Sequence, residues 1–311
     1  MKILITGGTG FIGTPLSREL RNSGHTVVVT TRRLSDSGEK LTWNPPALIP
    51  SDVISGFDAV INLAGESVAP GRWTKKRKEL IMSSRVNTTR ALVESMKQKE
   101  EETPLTPLVR GERRRLPKVL ISASAIGYYG AHGDEYVTED TPPAPDFLAR
   151  VCKAWEAEAV KAQELGLRVV IIRIGGVLES GGGALPKMIT PFKFFLGGPV
   201  VSGRQWFSWV HRDDVIGIIK YALENESVSG PVNVVSPNPA TNKEFSYAIG
   251  KALHRPSWLA VPAFVVKLTL GELGGMLLTG QRVMPEKILK SGYNFKYPEI
   301  ESALKAIFRK R

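Results

Sequence analysis

The sequence predicts an α/β fold, in which a doubly wound parallel sheet precedes a smaller, mostly helical C-terminal lobe. In the N-terminal half, short apolar runs alternate with helical segments, which is the order that parallel strands joined by crossover helices require. The runs are apolar without alternation, as in strands buried on both faces. A glycine-rich turn joins the first run to the first helix. The chain has 311 residues, enough for one large domain and a small lobe.

The elements of the N-terminal half can be placed in order along the chain. Strands are expected at 2–6, 25–31, 40–43, 58–63, 119–122 and 169–173, and helices from about residue 11, over 75–97 and over 147–165. Ligands of such sheets bind in the crevice outside the carboxyl ends of the strands. We therefore expect the residues that end or follow these strands to line one crevice.

The turn after the first strand, Thr6-Gly7-Gly8-Thr9-Gly10-Phe11-Ile12-Gly13, predicts a dinucleotide site of the Rossmann-like kind. In this spacing Gly7 permits the tight turn, Gly10 lets a pyrophosphate approach the backbone, and Gly13 lets the helix pack on the strand. The helix directs its free N–H groups and its positive dipole end at the same phosphates. The predicted contacts are Gly7, Thr9, Gly10, Phe11, Ile12 and Gly13.

The residues after the second strand distinguish the two nicotinamide coenzymes. NAD sites usually place an acidic residue about 20 residues after the glycines, where it holds the ribose 2′-hydroxyl, whereas an arginine accommodates a 2′-phosphate. This chain has Thr31-Arg32-Arg33 at that place. Because a guanidinium group offers a fixed fork of donors to phosphate oxygens, we predict NADP(H). The alternative is a solvated basic turn.

The pattern loosens after residue 175, where glycines and prolines become frequent. We predict a nucleotide-binding domain over 1–175 and a substrate lobe over 176–311. In the lobe, helices are expected at 213–223 and 242–253, a strand at 232–235 and a helical tail at 256–309. Residues 98–117 are charged, contain prolines and exceed the usual link between helix and strand. They are predicted to form a surface insertion without a catalytic role.

Composition excludes several classes of protein. The chain is 42% hydrophobic and 23% charged, as is ordinary for a soluble globular protein. Its one cysteine, Cys152, excludes disulfide frameworks and cysteine metal sites, and its four histidines stand far apart, so no metal site is predicted. The apolar stretch 258–278 is interrupted by Pro262, Lys267 and Glu272, which argues against a membrane span. The first residues already form the coenzyme strand, so no signal peptide is expected there.

The net charge of +12 is concentrated in runs such as 75–78 and 110–115. These runs contain no interleaved aromatic residues and belong to no nucleic-acid module, so solvated faces explain them best. We predict neither a nucleic-acid nor a membrane partner.

Several motifs together resemble the extended short-chain dehydrogenase/reductase superfamily. They are the glycine turn, Asn62-Leu63-Ala64-Gly65, Ser122-Ala123-Ser124-Ala125 with Tyr129-Gly130, and Trp209-Val210-His211-Arg212-Asp213-Asp214. Finer markers are similar to those of its "epimerase family protein" (YfcH-like) subgroup. These are residues 83–85, 127–130, 146–148, 153–156 and 173–178, and a C-terminal module at about 256–309 with Gly280-Gln281-Arg282-Val283-Met284-Pro285 and 292–295. The resemblance implies a Rossmann-like fold, NADP(H) and a cytoplasmic location.

The resemblance also implies further coenzyme contacts. Leu63, Ala64 and Gly65 would pass the adenine-side ribose and the pyrophosphate. Gly175, Gly176 and Val177 would flank the nicotinamide, the glycines by close backbone approach. Arg85, on the long helix, would reach the coenzyme or its phosphates, with a surface ion pair as the alternative.

For the chemistry, the resemblance implies a Tyr-x-x-x-Lys pair on the 147–165 helix and a serine at the preceding strand end. Lys153 fits the lysine and Ser124 the serine, but Ala149 stands where the tyrosine is expected. Alanine cannot exchange a proton. Tyr128 and Tyr129, close to Ser124 in sequence, are candidates to replace the tyrosine, and His211 is another.

Three functions remain open at this point. The first is an oxidoreductase or sugar-nucleotide epimerase acting on an unknown small substrate, and a 2′-phosphate site favours the reductase. The second is an NADP(H)-binding sensor or regulator without turnover, which Ala149 supports. The third, a basic nucleic-acid or membrane-surface partner, rests on net charge alone. Arg204 makes an anionic substrate one option, and a homo-oligomer is left open.

Overall fold

The computed structural model describes residues 1–33, 38–68, 71–101 and 116–309. Its strands are β1 (Lys2–Thr6), β2 (Thr26–Thr31), β3 (Lys40–Thr42), β4 (Ala59–Asn62), β5 (Val119–Ala125), β6 (Tyr136–Val137), β7 (Arg168–Ile174), β8 (Gly176–Leu178), β9 (Trp206–Phe207), β10 (Trp209–His211), β11 (Gly230–Val234), β12 (Ala240–Thr241) and β13 (Arg282–Val283). Its α-helices are α1 (Gly13–Asn22), α2 (Ser51–Ile54), α3 (Lys75–Glu101), α4 (Phe147–Val160), α5 (Leu185–Lys193), α6 (Arg212–Glu224), α7 (Asn242–Leu253), α8 (Ala263–Leu270), α9 (Glu272–Leu278), α10 (Glu286–Lys290) and α11 (Ile300–Arg309).

Seven of the strands form one parallel sheet, in the order β11-β7-β5-β4-β1-β2-β3. In β1, Ile3 lies between Val27 of β2 and Ala59 of β4. The strand order reverses at β1, since β2 and β3 extend the sheet on one side and β4, β5, β7 and β11 on the other. A doubly wound sheet opens its ligand crevice at this reversal. The predicted fold class is therefore confirmed, and the crevice lies at the carboxyl ends of β1 and β4.

Helices cover both faces of the sheet, which explains why the strands are apolar without alternation. Successive residues of a strand point to opposite faces. In β1, Ile3 and Ile5 pack with Leu16 of α1 and with α6, whereas Leu4 packs with Leu92 of α3. All three β1 residues have no exposed surface. Burial on both faces fixes the register of the strands at the crevice.

A third apolar cluster, separate from those on the two faces of the sheet, holds the C-terminal lobe together. It joins Trp209 of β10, Phe245 of α7 and Leu304 of α11, each nearly or fully buried. Short strand pairs occur within the lobe, β8 with β10 and β9 with β12, and one pair, β13 with β6, links the lobe to the N-terminal part of the chain. The pairing of β13 with β6 places the segment around residue 282 beside the loop that follows β5.

The long elements predicted from sequence are present, with different ends. The strand predicted at 119–122 continues to Ala125, and the helix predicted over 147–165 ends at Val160 and is followed by a 3₁₀ turn at Lys161–Leu165. The tail contains four helices, α8 to α11, and the strand β13. The predicted insertion at 98–117 falls largely outside the described residues, which stop at 101 and resume at 116. Within the described ranges, no helix is long and apolar enough to cross a membrane.

Candidate functional site

The glycine turn after β1 is packed so tightly that side chains would not fit. Gly7 has φ +71°, and a Cβ atom there would lie 2.7 Å from the carbonyl carbon of Leu63. A Cβ atom on buried Gly13 would lie 2.6 Å from the Cα of Gly8 and would overlap the Gly7 carbonyl oxygen. The turn itself is closed by hydrogen bonds from Gly10 N to Gly7 O and from Thr14 N to Gly10 O, both 3.0 Å. These contacts fix the loop where β1 meets β4.

Helix α1 begins at this turn with its positive end open. No side-chain hydrogen bond caps the helix at Ile12, and its first turn carries no acidic residue. Thr9 and Gly10 are exposed beside it. An uncapped helix N-terminus next to an exposed glycine loop suits an anionic group such as a pyrophosphate. The residues present therefore fit a dinucleotide coenzyme.

Phe11 connects this loop to the opposite side of the crevice. Its half-buried ring packs on Gly182 and Gly183, and a Cβ atom on Gly182 would come within 2.6 Å of the ring. The guanidinium carbon of Arg212 lies 5.5 Å from the ring centroid. Phe11 therefore packs the glycine loop against Gly182, Gly183 and Arg212 on the other side of the crevice.

Arg32 and Arg33 lie at the carboxyl end of β2, with both residues exposed. The backbone of Arg33 is fixed at two points: its N–H donates to Thr31 Oγ1 at 3.2 Å, and its carbonyl accepts from Thr42 Oγ1 at 3.3 Å. Two long cationic side chains thus project from a fixed backbone at the edge of the crevice.

Arg85 of α3 lies against the chain that leaves β4. A Cβ atom on Gly65 would lie 3.2 Å from the Arg85 guanidinium carbon, so Gly65 leaves room for this side chain. Arg85 Nη1 donates to the Ile81 carbonyl at 3.1 Å, and the guanidinium lies over the Trp155 ring at 5.2 Å. Burial lowers the pKa of Arg85. The structure thus places Arg85 next to Gly65, in the segment that follows β4.

At Gly175 and Gly176, neighbouring atoms of the protein itself leave no room for a side chain. A Cβ atom on Gly175 would lie 2.6 Å from Val235, and one on Gly176 would lie 2.7 Å from the Phe207 ring. Val177 follows in β8, half-buried, and pairs with Val210. Their predicted approach to the nicotinamide stays a prediction.

A buried ion pair lies under the carboxyl end of β5. Arg173 of β7 and Glu156 of α4 form a two-pronged contact, with Nη2 to Oε2 at 2.8 Å and Nε to Oε1 at 2.9 Å. Ser124 Oγ donates to the same Glu156 Oε1 at 2.6 Å. Ser124 and Arg173 are each only 3% exposed. The serine predicted to touch substrate therefore gives its hydrogen to a buried carboxylate.

Tyr129 extends this network toward the C-terminal segment. Its hydroxyl donates to Asn233 Oδ1 at 2.6 Å and accepts from Arg173 Nη1 at 2.9 Å. Asn233 Nδ2 in turn donates to the Met284 carbonyl at 2.9 Å. The Tyr129 side chain has no exposed surface, and its burial raises the pKa of the phenol to about 12. These contacts hold the Tyr129 side chain inside the protein, where it links Arg173 to Asn233.

Helix α4 faces β5 with residues other than the predicted lysine. Cys152 Sγ donates to the Ala125 carbonyl at 3.6 Å, next to the Glu156 contact with Ser124. Burial raises the pKa of Cys152 to about 11, so the thiol stays neutral. Ala149 is fully buried, whereas Lys153 is exposed to solvent. The structure does not bring Lys153 to Ser124.

Tyr128 is the half-buried member of the predicted catalytic group. It ends the 3₁₀ turn Ile126–Tyr128 that follows β5 directly. The Arg173 guanidinium carbon lies 3.6 Å from its ring centroid. His211, the other candidate, is 1% exposed; its Nδ1 accepts from Asp213 N at 3.0 Å and its ring packs on Tyr297. His211 thus caps α6.

Sequence reasoning missed the ion pair that organises this region, together with its partners Asn233 and Glu139. Glu139 Oε1 accepts from the backbone N–H of Asn233 at 3.0 Å, and burial raises the pKa of Glu139. The sequence did contain a signal for this ion pair, because Arg173 lies among the apolar residues 169–174 of its strand. A charge in such a strand requires a buried partner. Within the described ranges, no group of three or more His, Cys, Asp or Glu residues is placed to hold a metal ion.

Two family patterns match different parts of this chain. The sequence pattern of the NAD dependent epimerase/dehydratase family matches residues 3–235, and that of a domain of unknown function, DUF1731, matches residues 261–307. Epimerase family protein YfhF of Bacillus subtilis is 40% identical over 316 residues, covering 100% of this chain and 99% of YfhF. The chloroplastic SDR39U1 homolog of Arabidopsis thaliana is 39% identical, covering 99% of this chain and 87% of that protein.

A solved structure is similar over the whole length. The crystal structure of human epimerase family protein SDR39U1 (isoform 2) with NADPH superposes with a TM-score of 0.85 at 34% identity, covering 100% of both chains.

Proposed function

Because the chain belongs to the NAD dependent epimerase/dehydratase family, we propose that it binds NADP(H) in the crevice and reduces a carbonyl group of a small molecule. The YfcH-like subgroup suggested by the finer motifs stays a prediction. When bound, NADPH supplies a hydride to a carbonyl carbon, whose oxygen then takes a proton. The residues of this chain hold the coenzyme, choose its phosphorylated form and supply that proton.

The observation that carries the proposal is the glycine turn. Added Cβ atoms at Gly7 and Gly13 would overlap the backbone, and the uncapped N-terminus of α1 opens onto the exposed Thr9 and Gly10. Such a turn presents backbone N–H groups to a diphosphate at close range. The human relative that superposes over its whole length was crystallised with NADPH, which supports the same choice of coenzyme here.

The double variant Arg32→Ala/Arg33→Ala tests the choice of coenzyme. We expect NADPH to bind about 10- to 100-fold more weakly, because charge-assisted hydrogen bonds to the 2′-phosphate contribute roughly 1.5–3 kcal/mol. NADH has no such phosphate, so its affinity should change less than about threefold. Fluorescence titration of the reduced coenzymes measures both values.

The matched control is Lys305→Ala/Arg309→Ala, which removes two exposed positive charges from α11 at the C-terminal end. It should leave both affinities unchanged. Wild-type protein that binds NADH as tightly as NADPH would contradict the assignment of Arg32 and Arg33.

Tyr128 is the residue we propose for the proton transfer. Ser124 donates to Glu156, and the Tyr129 hydroxyl is enclosed between Arg173 and Asn233. Lys153 is exposed, whereas Tyr128 is half-buried at the end of the turn that follows β5. Ser124 and Tyr129 are thus buried and Lys153 is exposed to solvent. Tyr128 is the predicted catalytic residue whose side chain lies between these two extremes.

Replacing Tyr128 with phenylalanine should lower the reaction rate about 10²- to 10⁴-fold, the usual contribution of a positioned acid–base group. The affinity for NADPH should not change. The assay follows NADPH oxidation with a panel of small aldehydes and ketones, and Tyr247→Phe, at an exposed tyrosine of α7, is the control. A Tyr128→Phe protein with the wild-type rate would exclude this role.

A second function is favoured by α4. Its side toward β5 carries Ala149, Cys152 and Glu156, so the pair expected from the motif is missing where Ser124 lies. Such a protein would bind NADP(H) as a sensor without turnover. Tight NADPH binding with no oxidation by any member of the panel would favour the sensor over the reductase.

A further inference from the structure

Large apolar side chains project from one surface of the C-terminal lobe, at the end of α5 and in the chain between α7 and α8. Trp258 is 71% exposed, Phe194 67%, Phe195 and Leu196 55% each, and Leu259 39%. The three aromatic side chains alone expose roughly 300–500 Å². Monomeric proteins rarely expose a contiguous apolar area of more than a few hundred Å². We call these five residues the apolar patch.

Backbone contacts bring the two segments of the apolar patch together. The N–H groups of Trp258 and Leu259 both donate to the Gly197 carbonyl, at 3.1 and 3.2 Å. A Cβ atom on Gly198 would lie 2.6 Å from the carbonyl carbon of Leu259, so the two chains touch directly. The end of α5 and the segment around Trp258 therefore form one surface.

Helix α8 extends this apolar surface. Val201 N donates to the Val261 carbonyl at 2.9 Å, which joins the loop after α5 to the residues just before α8. On the helix itself, Phe264 and Leu268 are one turn apart and lie on the same side. Each is about two-thirds exposed. Exposed apolar side chains thus continue from the patch onto the neighbouring helix.

The backbone that presents the patch is strained at Phe195. Its φ is +62°, in the left-handed region that a bulky side chain seldom adopts. Hydrogen bonds from Phe195 N to the Phe192 carbonyl and from Leu196 N to the Pro191 carbonyl, both 3.0 Å, hold this conformation. Strain of this kind clusters at sites with a function. Here it accompanies three consecutive apolar residues that stay exposed.

The patch is bordered by positive charges and lies in segments without acidic residues. The ranges 180–212 and 245–271 contain seven lysines and arginines but no aspartate or glutamate. Two of the seven pair with glutamates from outside these ranges. Lys193 and Arg255 adjoin the patch and are exposed, and among the residues that the structure describes neither has an ion-pair partner. The surface is therefore apolar at its centre and cationic at its edge.

We propose that the apolar patch docks this protein on a membrane surface that carries anionic lipids. The aromatic and leucine side chains enter the boundary between headgroups and acyl chains, and Lys193 and Arg255 meet the anionic headgroups. Tryptophan is among the side chains that suit this boundary best. Docking of this kind needs no helix that crosses the membrane, and it is independent of the proposed reductase function.

The prediction that the protein has no membrane partner came from the charge runs 75–78 and 110–115. The apolar patch lies outside both runs. Its two segments are far apart in the sequence and meet only in the folded lobe, so neither segment indicates a docking surface by itself.

A second copy of this chain fits the patch less well than a membrane does. A symmetric dimer brings the same surface together from both subunits. Lys193 and Arg255 of one copy would then approach those of the other, and like charges across an interface cost affinity. An anionic membrane supplies the opposite charge instead.

Co-sedimentation of the full chain with vesicles tests the docking. We expect vesicles of equal parts phosphatidylcholine and phosphatidylglycerol to bind at least about tenfold more tightly than vesicles of phosphatidylcholine alone, since each cation near an anionic surface contributes roughly a factor of five. Added salt should weaken the binding, because it screens these charges. An absence of binding to either vesicle, or equal binding to both, would overturn the proposal.

Tryptophan fluorescence locates the contact on the protein. All six tryptophans lie in the described ranges, and of these Trp258 is the exposed one. Lipids brominated on their acyl chains should therefore quench Trp258 when the protein binds to the mixed vesicles. The variant Trp258→Phe should lose this quenching and keep most of the vesicle binding. Quenching that persists in Trp258→Phe would show that another surface contacts the lipid.

The variant Phe194→Ser/Trp258→Ser tests the apolar contact. Both side chains are at least two-thirds exposed, so the melting temperature and the NADPH affinity should not change. Binding to the mixed vesicles should weaken about 10- to 100-fold, because two large apolar side chains no longer leave water. The matched control, Val160→Ser/Leu289→Ser, removes exposed apolar side chains from α4 and α10 and should not alter vesicle binding. Equal vesicle binding by the two double variants would overturn the assignment of the patch.

The variant Lys193→Glu/Arg255→Glu tests the charges at the edge of the patch. It should remove the preference for vesicles that contain phosphatidylglycerol. The control Arg18→Glu/Lys118→Glu makes the same change in net charge at exposed residues of the N-terminal half and should keep that preference. Loss of the preference in both variants would show that net charge, and not this surface, recruits the anionic lipid.

Light scattering without vesicles checks for the second copy. We expect the molar mass of the protein to be the same with and without the Phe194→Ser/Trp258→Ser change. A dimer that this change converts to monomers would overturn membrane docking in favour of self-association. Failure to bind vesicles would leave the proposed reductase function untouched, whereas failure to bind NADPH would overturn that function alone.

Discussion

Replacing Gly13 with alanine is expected to abolish measurable NADPH binding. The added Cβ atom would lie 2.6 Å from the Gly8 Cα and would overlap the Gly7 carbonyl oxygen. Both neighbours are backbone, so the loop itself must move. A displaced loop loses its N–H geometry toward the pyrophosphate, and we expect at least a 100-fold loss of affinity, about 2.7 kcal/mol. Fluorescence titration with NADPH measures the effect.

Two further variants separate loss of the coenzyme site from loss of the fold. Gly10 is exposed, and a Cβ atom there would meet only the Gly7 oxygen, at 3.2 Å. Gly10→Ala should therefore leave the melting temperature nearly unchanged and still weaken NADPH binding, because the methyl group occupies the path of the pyrophosphate. Gly133→Ala, at a glycine with no atom within 4 Å of the new Cβ, should change neither property. An NADPH affinity within threefold of wild type for Gly13→Ala would refute the coenzyme site.

Removing one member of the buried ion pair should have the largest effect on stability. Glu156→Gln would leave the Arg173 guanidinium buried without its carboxylate, and Arg173→Met would leave Glu156 in the same condition. Both side chains are at most about one-tenth exposed. Breaking such a pair typically costs about 3–5 kcal/mol, because the remaining charge is uncompensated. Urea unfolding at unchanged m-value gives the free-energy difference.

The double variant Arg173→Met/Glu156→Leu tests whether an uncompensated buried charge causes the loss of stability. With both charges gone, no uncompensated charge remains, so the double variant should be more stable than either single variant. The recovery of stability should be incomplete, because Ser124 and Tyr129 also lose hydrogen-bond partners.

The control is Lys251→Met, which breaks the 2.8 Å ion pair between Lys251 and Glu301. Both of these side chains are more than half exposed. Lys251→Met should leave the urea midpoint unchanged, because solvent screens that pair. Equal losses from Lys251→Met and Glu156→Gln would show that burial does not govern these pairs.

The parts of the molecule that could be predicted are those that depend on local pattern. The run Ile3-Leu4-Ile5 predicts a strand buried on both faces, and the structure confirms it, since the residues pack alternately with α1 and α3. The short strand pairs outside the main sheet were missed, because pairs such as β6 with β13 are set by partners distant in sequence. The helices α2 and α5 were missed as well. The helical tail was placed in outline, but its division into four helices depends on what each one packs against.

In the candidate site, too, some features follow from local sequence pattern and others depend on tertiary contacts. Sequence spacing placed the glycine turn after one strand and Arg32 and Arg33 after the next, and the structure has these strands, β1 and β2, side by side in the parallel sheet. The contacts of these residues with a coenzyme stay a prediction. Sequence spacing did not show that Glu156 takes the hydrogen of Ser124, that Tyr129 is enclosed by Arg173 and Asn233, or that Lys153 is exposed. Each of these depends on how α4, β7 and β11 pack together around the end of β5.

By itself, the amino-acid sequence determined the fold class and the position of the coenzyme loop, because strand burial and glycine spacing are properties of short segments. Only the tertiary structure decided which candidate side chains reach the crevice. It buried Ser124 and Tyr129 in a charged network and joined the end of α5 to the segment before α8. The physical reason is that burial and hydrogen-bond pairing of these groups depend on segments far apart in the chain, which are brought together by packing.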